Sequence, residues 1–123
     1  MIYKETKVKV LDNSGAKVIR CFQLANYSKK KYSVAGDVIS GSVIKYKFNR
    51  KVKKKQICKV LLITSKKNVL RRNGSCVKFD ENRGVAVSDA RVLLGTRVFG
   101  PISKEVRSKN KNSKLVSLVS FII

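Results

Sequence analysis

Histidine is missing from this sequence, and acidic side chains are few: seven Asp and Glu accompany 29 Lys and Arg. The side chain most often used as a general base and metal ligand is therefore unavailable. The remaining carboxylates lie among cations, which lower carboxylate pKa values and leave poor proton donors near neutral pH. No GxSxG motif and no phosphate-binding GxxxxGK[ST] loop is present. We therefore expect no enzymatic activity, no metal site and no cofactor.

Cysteine is also scarce, and its spacing argues against cross-links. Cys21, Cys58 and Cys76 are odd in number, widely separated and without a CxxC motif, so neither a zinc site nor a disulfide framework is expected. We predict that all three are small core residues or inert thiols. No apolar run reaches the 18 residues of a membrane-spanning helix, so we expect no membrane span.

Positive charge is what the sequence has in excess, with a formal net charge of +22 and a pI near 10.4. Such charge repels itself in a compact chain and favours a polyanionic partner. Nucleic acid is the leading candidate, because Lys and Arg release counterions from phosphates. An anionic membrane surface is the alternative, although no basic amphipathic helix is visible. With 43% apolar residues in 123 positions, we expect one domain, residues 1–123, with a C-terminal tail from about residue 90.

The hydrophobic pattern predicts a mainly β protein. Apolar residues alternate with polar ones in short runs, separated by turn sequences such as "DNSG" at 12–15. Strands recurring at such short intervals favour a small closed β-barrel. Gly41 marks a bulge or a close approach of two strands, and Pro101 is expected in the first turn of a short helix over 102–107. The predicted strands cover 7–10, 17–24, 38–48, 57–64, 76–79 and 85–87.

Basic residues cluster in the predicted connections, where a barrel can make contacts without disturbing its core. The stretch 49–55 reads as a basic hairpin tip or ribbon, and "KKKY" at 29–32 combines cations with an aromatic ring, as phosphate contact plus base stacking requires. The residues expected to bind RNA are Lys29, Lys30, Lys31, Tyr32, Arg50, Lys51, Lys53, Lys54, Lys55, Lys66, Lys67, Arg71, Arg72 and Asn73.

Two adjacent acids, Asp80 and Glu81, stand among arginines and could form an acid/base pair or structural supports. Because the surrounding cations make them poor proton carriers near neutrality, we expect supports that hold Arg71, Arg72 or Arg83 and shape the loop. Surface pairs of this kind contribute about 0–1 kcal/mol each.

Four motifs in register carry a family resemblance: "DNSGAK" at 12–17, "GDVI" at 36–39, "NGSCVKFDEN" at 73–82 and "GTRVFGP" at 95–101. Together they resemble the universal large-subunit ribosomal protein fourteen family, of the bacterial and organellar type, over residues 1 to about 118. The resemblance implies a five-stranded β-barrel with a projecting β-ribbon and short C-terminal helices. It also implies a structural ribonucleoprotein component in translation that binds large-subunit rRNA.

The resemblance implies further partners: neighbouring large-subunit proteins, small-subunit rRNA at intersubunit bridges, and a ribosome-silencing factor. By matched position, the exposed face for these partners is Thr96, Arg97 and Lys114. We expect Phe99 to bury its ring and so turn Thr96 and Arg97 outward; in the alternative, Arg97 only pairs with Glu105. The high charge and the Lys-, Asn- and Ile-rich composition favour an organellar ribosome, mitochondrial first, with a plastid or the bacterial cytoplasm as alternatives.

A second functional hypothesis needs no ribosome. A free-standing RNA- or DNA-binding chaperone on an OB-like barrel would present exposed aromatic side chains on a strand face. Tyr46 and Phe48 are the candidate pair for such a platform.

Overall fold

The computed structural model describes residues 1–24, 31–109 and 113–123, and it forms a mainly β fold with two short helices. Five strands close into a barrel in the order β1-β2-β3-β4-β7, and β5 and β6 form a separate two-stranded ribbon. The predicted barrel is confirmed. The elements are β1 Lys7–Val10, β2 Ala16–Gln23, β3 Val38–Tyr46, β4 Ile57–Thr64, β5 Val69–Leu70, β6 Cys76–Val77, β7 Arg83–Val87, α1 Lys104–Lys109 and α2 Ser113–Leu118.

Barrel closure depends on one parallel pair. The strands from β1 to β4, and then β7, are neighbours through antiparallel pairing. The seam between β7 and β1 is parallel, with Lys9 opposite Arg83 and Val10 opposite Gly84. Closure leaves the five-stranded sheet without a free edge.

The barrel interior is filled by every second residue of each strand, whose side chain points inward. In β1, Val8 and Val10 are buried while Lys7 and Lys9 are exposed, as the period of two for strands requires. Ile19, Cys21, Ile39, Val43, Cys58, Val60, Leu62 and Ala86 belong to the same buried cluster. Cys21 and Cys58 are thus core thiols, and burial raises the pKa of both. Cys76, in contrast, is exposed, so of the two predicted alternatives, core residue or inert thiol, only the second can apply to it.

A second buried cluster lies on the outside of β4 and β7. Leu61, Ile63, Val85 and Val87 pack there with Val98, Ile102, Val106 and Leu115 of the C-terminal tail. Strand β4 is therefore buried on both faces, which explains its nearly continuous apolar sequence.

Gly41 sits where β2 and β3 approach closely. A Cβ atom at this position would lie 2.4 Å from Ile19 Cγ2 and 2.5 Å from the Arg20 carbonyl oxygen. The β2–β3 register shifts immediately after the Cys21–Gly41 pair. The predicted close approach is confirmed.

Several predicted boundaries differ from the structure. Val69 and Leu70, which lie outside the predicted strands, form β5 because they pair with Val77 and Cys76. Helix α1 begins at Lys104 rather than at 102, so Pro101 precedes it. Helix α2 ends at Leu118, and beyond it Ile122 forms a parallel bridge with Ile102. The stretch 49–55 is the hairpin tip between β3 and β4 and contains no strand. No helix in the described ranges has the length and apolarity needed to cross a bilayer.

Candidate nucleic-acid interface

The barrel topology divides the predicted site residues between two ends. Strands β1, β3 and β7 run one way, and β2 and β4 run the other. Residues 11–15, 47–56 and 88–97 therefore share one end, which we call the tip end. Residues 1–6, 31–37 and 65–82 share the opposite end, which we call the ribbon end.

The part of the β3–β4 connection at 49–55 brings five cations to the tip end. Val52 is only 2% exposed and anchors the connection in the barrel core. The Lys47 N–H donates to the Gly15 carbonyl at 2.7 Å, and Lys51 Nζ donates to the Leu94 carbonyl at 3.1 Å. The exposed cations around this anchor are Arg50, Lys51, Lys53, Lys54 and Lys55, and none of them pairs with an acid among the described residues.

A cleft of about 430 Å³ lies at the same end. It has two cationic, two amide and one hydroxyl side chain among its walls and no carboxylate. Its lining residues are Asn13, Asn49, Arg50, Lys51, Leu94 and Thr96.

The "GTRVFGP" segment reaches the tip end beside the first hairpin turn. Thr96 and Arg97 are exposed. Phe99 is 53% exposed while Val98 is 8% exposed, so the prediction that Phe99 anchors the segment is wrong. The cause is local pairing: Val98 bridges Asp12, and the Phe99 N–H donates to the Leu11 carbonyl. In such an extended pair, successive side chains point to opposite faces, and Val98 takes the inward one.

Glu105 does not pair with Arg97. Its carboxylate accepts from Arg71 instead, with Nε to Oε1 at 2.8 Å, so the alternative role considered for Arg97 is wrong. Within the described part of the chain, the Arg97 side chain forms no ion pair. Its guanidinium is open to an outside partner.

The ribbon end brings the other two basic clusters together. Lys67 Nζ lies 5.6 Å from the centre of the Tyr32 ring, and Tyr3 packs against the same ring with 6.1 Å between centroids. Tyr32 and Lys67 also line a cleft of about 330 Å³. Lys31 and Lys66 are exposed at this end. Lys29 and Lys30, predicted to bind RNA, lie outside the described residues.

Arg71 and Arg72 precede the turn of the β5–β6 ribbon in different environments. The Arg71 guanidinium donates to Glu105 and to the Ile123 carbonyl oxygen, the latter at 2.8 Å. The hydrogen bond from Arg71 lowers the pKa of Glu105 and raises that of Arg71. Arg72 is exposed. Asn73 Oδ1 accepts the Ser75 N–H at 3.1 Å and so shapes the turn.

Glu81 acts as a support, as predicted, with Arg83 as one of its partners. Its carboxylate accepts from Lys9 and from Arg83 Nε, the latter at 3.1 Å, and the hydrogen bonds from Lys9 and then Arg83 lower the pKa of Glu81. Asp80 is exposed and has no ion-pair partner among the described residues. Arg71 and Arg72 are not held by this pair. The Lys9 contact comes from β1–β7 closure, which no local sequence pattern reveals.

Lys114 lies on α2 and is exposed. No hydrogen bond or ion pair between described residues joins it to Thr96 or Arg97. Its neighbour Leu115 packs in the outer cluster together with Val98. The chain neighbours of the predicted partner face, Val98 and Leu115, thus pack in one buried cluster.

Asn13 is a residue whose importance the sequence did not reveal. Its side chain accepts the N–H groups of Thr96 and Arg97 and donates to the Thr96 hydroxyl. Asn13 stood out only as part of the "DNSG" turn and the "DNSGAK" motif, and neither indicates its partner, because a contact across 83 positions leaves no local trace.

A small, strongly basic β-barrel with exposed cations at both ends defines the class of this protein. Comparison with protein families then identifies it more closely: the model of the family Ribosomal protein L14p/L23e matches residues 1–123, the whole chain. The chain belongs to this family. It is a structural protein of the large ribosomal subunit, in a family of ribosomal proteins rather than enzymes.

Proposed function

We propose that this chain binds large-subunit rRNA with both ends of its barrel. The observation that carries the proposal is the distribution of charge. The exposed cations of the β3–β4 connection have no described acidic partner, whereas Glu81, Asp89 and Glu105 are paired with Lys9, Lys59 and Arg71. Cations left unpaired at a surface are available to phosphates.

Aromatic side chains beside both basic surfaces support RNA as the partner rather than a polyanion without bases. At the ribbon end, Tyr32 is 40% exposed next to Lys67. At the tip end, Phe48 is 78% exposed and packs edge-on against Tyr46, with 5.3 Å between the ring centroids. Unpaired bases stack on such rings. The chaperone hypothesis would use the same Tyr46–Phe48 pair, and sucrose-gradient sedimentation separates the two, since only a ribosomal protein travels stoichiometrically with large subunits.

The rRNA contacts are tested by the salt dependence of binding. Lys53→Gln with Lys54→Gln, and separately Lys66→Gln with Arg72→Gln, should weaken binding of the full chain to large-subunit rRNA. The slope of log affinity against log salt should fall by roughly 0.9 for each lost phosphate contact with a duplex. Lys7→Gln with Lys17→Gln is the matched control, because both lysines are exposed on the barrel wall. A slope that stays the same in both test variants contradicts the proposal.

We also propose that the tip end contributes to an intersubunit bridge and docks a ribosome-silencing factor. Support comes from Arg97, which is exposed beside the Thr96 hydroxyl and without a described acidic partner. A guanidinium next to a hydroxyl suits a phosphate or a carboxylate. Neighbouring large-subunit proteins are further partners, and Lys114 is the third residue proposed for this face.

The bridge is tested by Arg97→Glu. Incorporation into large subunits should be preserved while subunit joining and silencing-factor docking fall, as measured by sedimentation of reconstituted ribosomes. Arg107→Glu on α1 is the control, since it makes the same charge change at another exposed site. Loss of the large subunits themselves would make Arg97 an assembly contact and would contradict the bridge.

We further propose an organellar ribosome, mitochondrial first. The net charge of +22 and the Lys-, Asn- and Ile-rich composition support this origin. Fractionation of organelles followed by detection of the chain in their large subunits tests it, and detection only in a plastid or a bacterial cytoplasm contradicts the mitochondrial assignment.

A further inference from the structure

One side chain of the first hairpin turn holds two consecutive residues of the proposed bridge face. Asn13 Oδ1 accepts the Thr96 N–H at 2.7 Å and the Arg97 N–H at 3.2 Å. Asn13 Nδ2 donates to Thr96 Oγ1 at 2.7 Å. Residues 94–97 contain no helix or strand of their own, so these bonds replace the pairing that a regular element would supply.

The turn that carries Asn13 is itself fixed to the barrel. Asp12 Oδ1 accepts the Ser14 N–H at 3.1 Å, and Asp12 Oδ2 accepts the Ala86 N–H of β7 at 2.8 Å. Gly95 lets the two segments approach, since a Cβ there would lie 2.8 Å from Asn13 Oδ1. The chain of contacts therefore runs from β7 through the turn to Thr96.

The contact also sets the direction in which the Thr96 hydroxyl can act. A hydroxyl can donate one hydrogen bond and accept others. Because Thr96 Oγ1 accepts from Asn13 Nδ2, its own hydrogen remains to be donated. The exposed face then presents a hydroxyl donor beside the Arg97 guanidinium, and both groups favour an acceptor such as a phosphate oxygen.

We infer that Asn13 is the positioning residue of the bridge face: it orders Thr96 and Arg97 before a partner arrives, and it occupies one acceptor position of the Thr96 hydroxyl while leaving the hydroxyl hydrogen for the partner. This inference rests on the proposed bridge function. A surface that is already ordered loses less conformational freedom on binding, so the effect of Asn13 is expected on partner binding rather than on assembly.

The first measurement is amide hydrogen exchange in the full-length chain. Asn13→Ala removes all three bonds and should accelerate exchange at Thr96 and Arg97 by roughly ten-fold, the factor for one ordinary hydrogen bond. Asn13→Asp keeps the acceptor and should restore slow exchange. Asn82→Ala is the matched control, because Asn82 Oδ1 also accepts a backbone N–H from another segment, that of Lys66 at 3.0 Å. Amides of β2 and β3 report whether each variant is folded.

The second measurement is subunit joining with reconstituted large subunits. Asn13→Ala should reduce joining at least several-fold without reducing incorporation, while Asn82→Ala leaves both unchanged. Thr96→Val removes the donated hydrogen and the acceptor of Asn13 Nδ2, but keeps both backbone N–H groups bonded to Asn13 Oδ1. It should therefore reduce joining with exchange at Arg97 unaltered.

The outcomes separate the inference from the function on which it rests. Unchanged exchange in Asn13→Ala overturns the inference. The inference is also overturned if Asn13→Ala exchanges faster but joins subunits normally while Arg97→Glu impairs joining. If Arg97→Glu also joins normally, the proposed bridge fails and the inference fails with it.

Discussion

Arg71 and Arg72 are adjacent in the chain, yet their side chains lie in different surroundings. Arg71 and its partner Glu105 retain about a fifth of their side-chain exposure, 20% and 22%, and Arg71 also reaches the Ile123 carbonyl. The guanidinium is therefore less available to RNA than that of the exposed Arg72. Arg71, which pairs with the Glu105 carboxylate, therefore stabilises the fold, whereas Arg72 remains exposed.

We predict that the two alanine substitutions affect different properties, folding stability for Arg71 and RNA binding for Arg72. Arg71→Ala leaves the partly buried Glu105 without its cation and should lower the free energy of unfolding. Arg72→Ala should change stability by less than about 0.5 kcal/mol and should weaken RNA binding. Urea unfolding and filter binding check the two effects. Equal stability losses in both variants would show that the ion pair contributes nothing to folding.

At the scale of elements, the β2–β3 contact tolerates no side chain at position 41. Gly41→Ala would place a methyl group 2.5 Å from the Arg20 carbonyl oxygen. We expect a loss of about 3 kcal/mol in urea unfolding, at the upper end for overpacked interiors. Gly74→Ala is the comparison, since nothing lies within 4 Å of a Cβ there although φ is +85°. Its cost should be only the backbone strain, about 1 kcal/mol. A larger loss at Gly74 than at Gly41 would contradict this argument.

The Arg71–Glu105 ion pair joins the β5–β6 ribbon to the C-terminal tail, and we expect this attachment to depend on pH. Arg71 lowers the pKa of Glu105 on folding. The resulting stabilisation is complete above the ordinary pKa of a glutamate, about 4.3, and is lost as the pH falls through the lowered native value. Amides of α1 should therefore exchange faster at pH 3 than at pH 6, relative to those of β3.

Glu105→Gln provides the control for that titration. The glutamine does not titrate, so exchange in α1 should be faster than in the wild type at pH 6 and should lose this pH dependence. If lowering the pH accelerates amide exchange in α1, relative to β3, equally in both proteins, then a group other than Glu105 holds the tail.

The sequence predicted the barrel because its strands bury alternate residues, and that signal is local. Strand β4 was predicted over the residues that the structure shows, 57–64. Exposed or short elements were harder. The period of two in "RVFG" does not show which of Val98 and Phe99 is buried. Val98 is the buried one because the pairing of this segment with Leu11 and Asp12 turns its side chain inward.

The same limit applies to the candidate site. Runs of lysine are visible in the sequence, and the structure places the described ones at the barrel ends. Their partners are not visible: Glu105 was considered for Arg97 and pairs with Arg71, 34 residues away. Asn13 acts across 83 residues. Contacts of this range follow from topology, and only the closed fold brings them together.

For the molecule as a whole, the net charge of +22 should make the isolated chain sensitive to salt. The Debye length falls from about 30 Å at 0.01 M salt to about 3 Å at 1 M, and screening relieves the repulsion between cations. The urea midpoint should rise with KCl over this range. A flat or falling midpoint would mean that the fold already neutralises its charge.

Closure of the barrel also sets an order of events while the chain is being made. The antiparallel pairs from β1 to β4 can form one after another, but β1 meets β7 only when Arg83 and Gly84 have been synthesised. Until then β1 is an open sheet edge, and open edges invite pairing with other chains. Lys7 and Lys9 are exposed on this strand, and lysines on an edge discourage such pairing. We therefore expect the alternating lysines of β1 to protect an edge that exists only before the nascent chain has closed.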